Sequence, residues 1–189
     1  FAFNNNMSCY RGSEEDVLGR VLGALNYMDA TIGVEIYGDC PLIDPEIVDK
    51  VVEYYLNNKN KYDFVSNGLK STYPPGLEVE VYPVDILEDS SKRTNDMVIR
   101  EHGTLFIRQN PQHYRLYNFK APKEFHFPNL YIELDTPEDF IVIKNIYENL
   151  YPWNSEFTTN DVINHLMKNK ELRDLNSNVH RRWKELRDE

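Results

Sequence analysis

A chain of 189 residues, 41% hydrophobic and 28% charged, has the length and composition of one globular domain able to bury a core. Its 21 Lys and Arg against 31 Asp and Glu leave a formal charge of −10, which excludes the broad basic face that nucleic-acid binding needs. Any phosphorylated ligand must then be held locally, by a metal or by a few placed arginines.

No apolar run approaches the ~20 residues that span a bilayer, and no basic leader precedes an apolar stretch. Cys9 and Cys40 are too few for a disulfide framework, so a cytoplasmic protein without membrane or nucleic-acid partners is expected. The opening Phe1-Ala2-Phe3, with no initiator Met, reads as the inside of a β-strand and suggests natural sequence further upstream.

In chain order, residues 1–11 read as a short strand and loop. Ser13, followed by Glu14, Glu15 and Asp16, predicts a helix start, and Val17, Leu18, Val21, Leu22 and Leu25 form its apolar stripe. Residues 31–37 predict a buried strand ending in Gly38-Asp39-Cys40-Pro41. Asp44-Pro45 then caps a helix with Ile47, Val48, Val51, Val52 and Tyr55 on one face. Residues 62–66 are the next strand, and this alternation predicts a mostly parallel sheet flanked by helices.

The middle changes character. Thr72-Tyr73-Pro74-Pro75-Gly76 is a turn, and 77–82 alternates as a half-exposed, antiparallel strand would. Residues 85–107 are expected to be mostly helical, and 114–119 and 130–134 to be strands. Thr136-Pro137-Glu138-Asp139 and Thr158-Thr159-Asn160-Asp161 open two further helices. The tail carries Arg181, Arg182, Lys184 and Arg187, a basic helical end on an acidic chain.

Asp39 and Asp135 each follow a predicted strand, where ligands of open α/β sheets bind. Mg²⁺ takes one or two carboxylates plus substrate oxygens, so the pair is a candidate metal site. Each aspartate has a plainer reading, as a turn residue or a helix cap. Glu78 and Glu80, two apart, share one face of their strand, whose plain reading is a solvated face. Cys40 reads as a packing residue, and His113, His126 and His165 as structural. Trp153, Tyr147 and Tyr151 read as core or interface anchors.

Five segments in order carry a resemblance. They are 10–18 (Tyr10-Arg11-Gly12-Ser13 onward), 38–45, 72–81, Arg100-Glu101-His102, and 135–140 from Asp135-Thr136-Pro137. Together they resemble the spore-coat polysaccharide biosynthesis protein F family, relatives of CMP-3-deoxy-manno-octulosonate synthetase and acylneuraminate cytidylyltransferase.

The resemblance implies a Rossmann-like α/β fold of the nucleotide-diphospho-sugar transferase type, lacking the N-terminal strand–loop–helix that carries the phosphate loop. It implies a homodimer that couples CTP to a sugar, acidic sugars included, and releases pyrophosphate for surface polysaccharide or glycan synthesis. It places Mg²⁺ on Asp39 and Asp135 as metal and catalytic residues, nucleotide near Arg11, Ser13 and Arg20, and sugar near Tyr73, Glu78, Glu80, Arg100 and His102. Residues 1–189 then form one N-terminally incomplete domain, with 72–119 as sugar-site or dimerisation subregion and 151–189 as a helical extension.

Departures from the family pattern are Glu35 and Tyr131 where Arg is common, Pro75 after Tyr-Pro, and Gly103-Thr104-Leu105 in place of Val-Thr-Pro. Two alternatives stand beside the main reading. One is a metal-dependent nucleotide-sugar glycosyltransferase, although its usual Asp-x-Asp is absent. The other is an inactive homologue acting as a binding or assembly partner.

Overall fold

The computed structural model describes residues 1–186. Its frame is a sheet of four strands: β1 (Ile32–Glu35), β2 (Phe64–Ser66), β3 (Glu80–Pro83) and β4 (Leu116–Asn118), in the order β1-β3-β2-β4. β3 runs antiparallel to both neighbours, while β2 and β4 are parallel. β1, β2 and β4 therefore share one direction, and β3 is the reversed strand inserted among them. The helix-flanked α/β sheet and its antiparallel middle strand are as the sequence predicts, but inserting β3 makes two of the three pairings antiparallel, so the sheet is mixed rather than mostly parallel.

Alternation along the strands divides the core into two layers. On one face Val65, Val79 and Val81 pack under α2 (Pro45–Asn58), α6 (Pro137–Leu150) and α7 (Thr159–Lys168), through Val51, Ile146 and Leu166. On the other, Phe64 and Tyr82 meet α1 (Val17–Tyr27), α3 (Val84–Arg93) and α5 (Leu105–Gln109), through Leu18, Leu87 and Ile107. Each such aliphatic side chain stabilises the fold by roughly 1.5–3 kcal/mol when fully buried. Being covered on both faces, residues 77–82 are buried throughout rather than half-exposed, and only 80–83 pair as strand. Short α4 (Met97–Arg100) lies between α3 and α5, and α8 (Lys170–Asp174) follows α7.

Helix starts follow local chemistry closely. Asp44 accepts from Glu46 N at 2.9 Å to cap α2, with Pro45 in the first turn. Its second oxygen takes the Thr159 backbone N–H and hydroxyl, which ties the start of α2 to the start of α7. Thr136 with Asp139 and Thr158 with Asp161 form capping boxes on α6 and α7.

Four local expectations are corrected. Residues 1–11 hold a 3-10 turn at Phe3–Asn5 and no strand. Ser13 does not cap α1: Asp16 does, accepting from Gly19 N at 2.9 Å, while Ser13 Oγ accepts from Asp16 N. Residues 130–134 are not a sheet strand, because their backbone bonds run to loops, from Ile132 N to Pro75 O and from Leu134 N to Asp39 O. The basic tail is no α-helical end: Arg181 lies outside any helix with its side chain fully buried, and Arg182–Leu186 is a 3-10 segment. Arg187 lies outside the described residues.

Candidate active site

Glycine and register place the first acid. Gly33 pairs with Tyr82 across β1 and β3, and a Cβ at Gly33 would stand 2.7 Å from the Tyr82 ring. The missing side chain lets that ring lie over β1, so its hydroxyl donates to Glu35 Oε2 at 2.7 Å. Glu80 pairs with both Glu35 and Ser66, so the leading ends of β1 and β2 converge on it. Thr104 Oγ1 donates to Glu80, and Arg108 stands 3.8 Å away. Burial, then the charge of Glu80, push the Glu35 carboxyl up to about 7 against the pull of the Tyr82 hydroxyl.

Beyond the end of β1 opens a cleft of ≈ 260 Å³. Glu35, Asp39, Glu78, Glu101 and Glu133 supply its carboxylates. His102 and Arg108 add nitrogen donors, and Tyr37 and Trp183 add aromatic wall. Glu78 is fixed by the Gly76 N–H at 2.8 Å. Gly76 has φ +110 and sits so close to 132–133 that a Cβ would meet Glu133 N at 2.6 Å. Only glycine lets these loops touch.

The two predicted aspartates meet through that loop contact. Leu134 N donates to Asp39 O at 2.8 Å, which brings Asp135 beside Asp39 although 130–134 is not a strand. Burial, then the charge of Asp39, push the Asp135 carboxyl up. Neither aspartate caps a helix, since Thr136 caps α6 and Asp44 caps α2, while Asp39 does lie in a turn. Two exposed carboxylates whose charges repel, one of them Asp39 of the cleft lining, form a donor set that suits a hard divalent cation. Among the described residues no group of three or more His, Cys, Asp or Glu converges on one metal position, so further oxygens would come from substrate or water.

The other predicted residues divide. Glu78 and His102 line the cleft; Glu80 lies buried behind it. Ser13 lines a second hollow with Glu14 and Met97, and Glu101 borders both hollows. Arg20 donates to the Ser13 and Glu14 carbonyls and so shapes the turn before α1, while Arg11 is exposed.

Two residues have tasks other than the sugar contact expected of them. Arg100 makes a two-pronged pair with Asp16 at 2.8 and 3.0 Å and donates to the Ser91 and Thr94 carbonyls, stapling α4 to α1 and α3. Tyr73 is a buried core aromatic beside Phe125. Cys40 is buried, and burial and the Glu78 and Asp39 charges push its thiol far up, as befits a packing residue.

Local sequence signals missed the rear wall. Asp139, at the third position of α6, receives Thr136 N and Oγ1 for the cap, Arg181 at 2.7 and 3.0 Å, and Asn176 Nδ2 at 2.7 Å. Burial pushes Asp139 up, but the Arg181 and Asn176 hydrogen bonds outweigh it and hold the carboxyl below its usual range. Arg181 also reaches Glu133 at 2.9 Å and lies 4.5 Å over the Tyr131 ring. Trp183 Nε1 donates to Glu133 at 2.8 Å. Burial still pushes Glu133 up to about 7 despite these donors. Residues 176–184 thus fold back as a strap behind the cleft; nothing near Arg181 in sequence announces it.

The paired acids lie near the end of β1, where open α/β sheets bind ligands. Comparison with known proteins gives the family. A model of the cytidylyltransferase family matches residues 2–156. The chain is 32% identical over 173 residues to the uncharacterised protein MJ1063 of Methanocaldococcus jannaschii, covering 92% of this chain and 68% of that protein. It is 31% identical over 140 residues to the spore coat polysaccharide biosynthesis protein SpsF of Bacillus subtilis, covering 74% of this chain and 56% of that one. Its fold matches a cytidylyltransferase from Leptospira borgpetersenii with TM-score 0.85 at 27% identity, over 95% of this chain and 74% of the other. The chain belongs to the cytidylyltransferase family.

Proposed function

We propose that this chain is the catalytic part of a nucleotidyltransferase that couples CTP to a sugar, releasing pyrophosphate, for surface polysaccharide synthesis. Asp39 and Asp135 hold Mg²⁺ in this reading. The observation that supports it is the Leu134–Asp39 backbone bond, which brings Asp135 near Asp39 of the cleft lining, in a chain of this family.

A sugar hydroxyl in the cleft attacks the α-phosphorus of CTP. The bond from that phosphorus to the bridging oxygen breaks, pyrophosphate departs, and the hydroxyl proton passes to a carboxylate or to water. Bound metal supplies charge neutralisation on the phosphates. The chain's own residues do the rest: Glu78 and His102 orient the sugar, and the hollow lined by Ser13, next to Glu101, receives nucleotide. Residues 72–119 build much of the sugar side, and a homodimer, measurable by light scattering, belongs to the same reading.

Pyrophosphate release by the full-length protein with CTP, UTP, GTP and ATP is the test. CTP is expected to be preferred. Asp39→Asn and Asp135→Asn should each lower the rate at least ~100-fold, the scale of losing a charge stabiliser of the transition state. The Tm should hold or rise, because one of two repelling charges is gone. Full activity in either variant removes the metal site from this reading. Silence with every nucleotide would favour a binding or assembly role.

A further inference from the structure

One wall of the cleft comes from outside the matched family segment. Trp183 lines the cleft together with Asp39, Cys40, Glu78 and Glu133. The family model ends at residue 156, so this indole is carried in by chain beyond it, on the strap at 176–184.

The ring is held in place from several directions. Its Nε1 donates to Glu133 at 2.8 Å, and Glu133 also pairs with the buried Arg181 guanidinium at 2.9 Å. Arg181 is itself locked onto Asp139, at the start of α6, at 2.7 and 3.0 Å. On the other side of the indole in sequence, Lys184 donates to the Tyr131 hydroxyl at 2.6 Å. Arg181, Trp183 and Lys184 are the inward positions here, while Arg182 and Glu185 are exposed.

A half-buried indole presents a large, rigid apolar surface with little rotamer freedom to lose. Aromatic walls beside a few placed polar groups are the usual lining of small-molecule sites. A sugar ring is built to match: hydroxyls around its rim engage polar groups, and its C–H face packs on an aromatic ring. Glu78, fixed by the Gly76 N–H at 2.8 Å, and His102 supply polar partners in the same cleft.

Resting on the sugar-site reading above, we propose that Trp183 is a substrate-contacting residue, the wall on which the sugar ring packs its C–H face. The strap is then part of the binding site, and the site is incomplete without it.

The experiment uses the full-length protein with CTP and Mg²⁺ and a panel of neutral hexoses, amino sugars and 3-deoxy-ulosonic acids. Sugar binding is read by saturation-transfer NMR and turnover by pyrophosphate release. The indole is read by fluorescence in a Trp153→Phe background, which removes a ring that is 90% exposed. The part of the signal that disappears on adding Trp183→Phe belongs to Trp183. Every sugar that binds should change that part. Trp183→Ala should raise the sugar Kd about 10-fold, and Trp183→Phe only about 2–3-fold, because a ring remains. Circular dichroism checks the fold of both variants, and the fluorescence arm keeps Trp183 in place, so it stands even where the Ala variant unfolds.

A sugar that binds without altering Trp183 emission overturns the inference. So does a folded Trp183→Ala variant with unchanged sugar affinity, or the absence of binding by the whole panel. A sugar that binds and alters the emission, yet releases no pyrophosphate from CTP, UTP, GTP or ATP, would uphold the contact while removing the transfer reaction. The two failures are therefore distinguishable.

Discussion

Glu35 shows how one side chain's environment becomes a property of the protein. Its carboxyl is raised from an ordinary 4.5 to about 7 by burial and by Glu80. Between those values the unfolded chain has lost its proton while the folded one keeps it, so stability falls as pH rises from about 4.5 to 7. The loss is on the order of 3 kcal/mol at 1.36 kcal/mol per pH unit. Glu35→Gln keeps an acceptor for the Tyr82 hydroxyl and removes the titration. It is expected to raise Tm by several degrees at pH 8 and to change it little at pH 4.5, measured by calorimetry at both values.

The acids of the site differed in how visible they were in sequence. Asp39 was legible because a strand pattern ends just before it. Asp135 was legible for a partly wrong reason, since the segment before it is extended by loop contacts rather than by sheet pairing. Glu133 and Trp183 carry no motif; they reach the cleft only because chain segments about fifty residues apart fold together.

At the scale of elements, the capping boxes and apolar stripes foretold α2, α6 and α7 nearly to the residue, because caps and periodicity are local. Misreadings fell where local rules compete. Ser13 and Asp16 are both good caps, and Asp16 prevails because Arg100 from α4 also grips its carboxylate. Tyr73 and Arg100 matched a family pattern, yet packing gives one to the core and the other to a staple.

The loop contact at Gly76 belongs to this scale too. Gly76→Ala forces a Cβ into the backbone at 132–133 at a positive φ, which should cost about 2–4 kcal/mol of stability. It should also lower activity by more than its loss of fold, since Glu78 and Asp135 are displaced together. Denaturant midpoints alongside kcat on the folded fraction check this; an unchanged kcat would detach the turn from the site.

For the whole molecule, the strap at 176–184 is the long-range feature. It supplies the buried Asp139 carboxylate with its charged partner, Arg181. Truncation after Leu175 would strand that charge at the start of α6. Breaking a buried pair costs about 3–5 kcal/mol. The truncated protein should therefore lose most of its margin, with urea unfolding at a clearly lower midpoint, and should bind CTP weakly even where folded. Acidification should weaken the full protein through the same residue: Asp139 titrates low, so the stability it lends is kept at neutral pH and lost as pH falls through its depressed value.

The reversed strand β3 has one more consequence, for how this protein tolerates insertion and deletion. Its register brings Glu80 to the ends of β1 and β2 while Val79 and Val81 enter the opposite layer. Asn67 fixes that register from outside the ladder, donating to Leu77 O and accepting from Val79 N, each at 2.7 Å. Surface loops usually absorb a gained or lost residue cheaply. Here a single-residue indel between 68 and 79 would turn every β3 side chain over, sending Glu80 into the aliphatic layer and a valine to the cleft. Length variation among natural forms of this chain should therefore avoid that stretch and collect in turns such as 152–157, which touch neither the ladder nor the cleft.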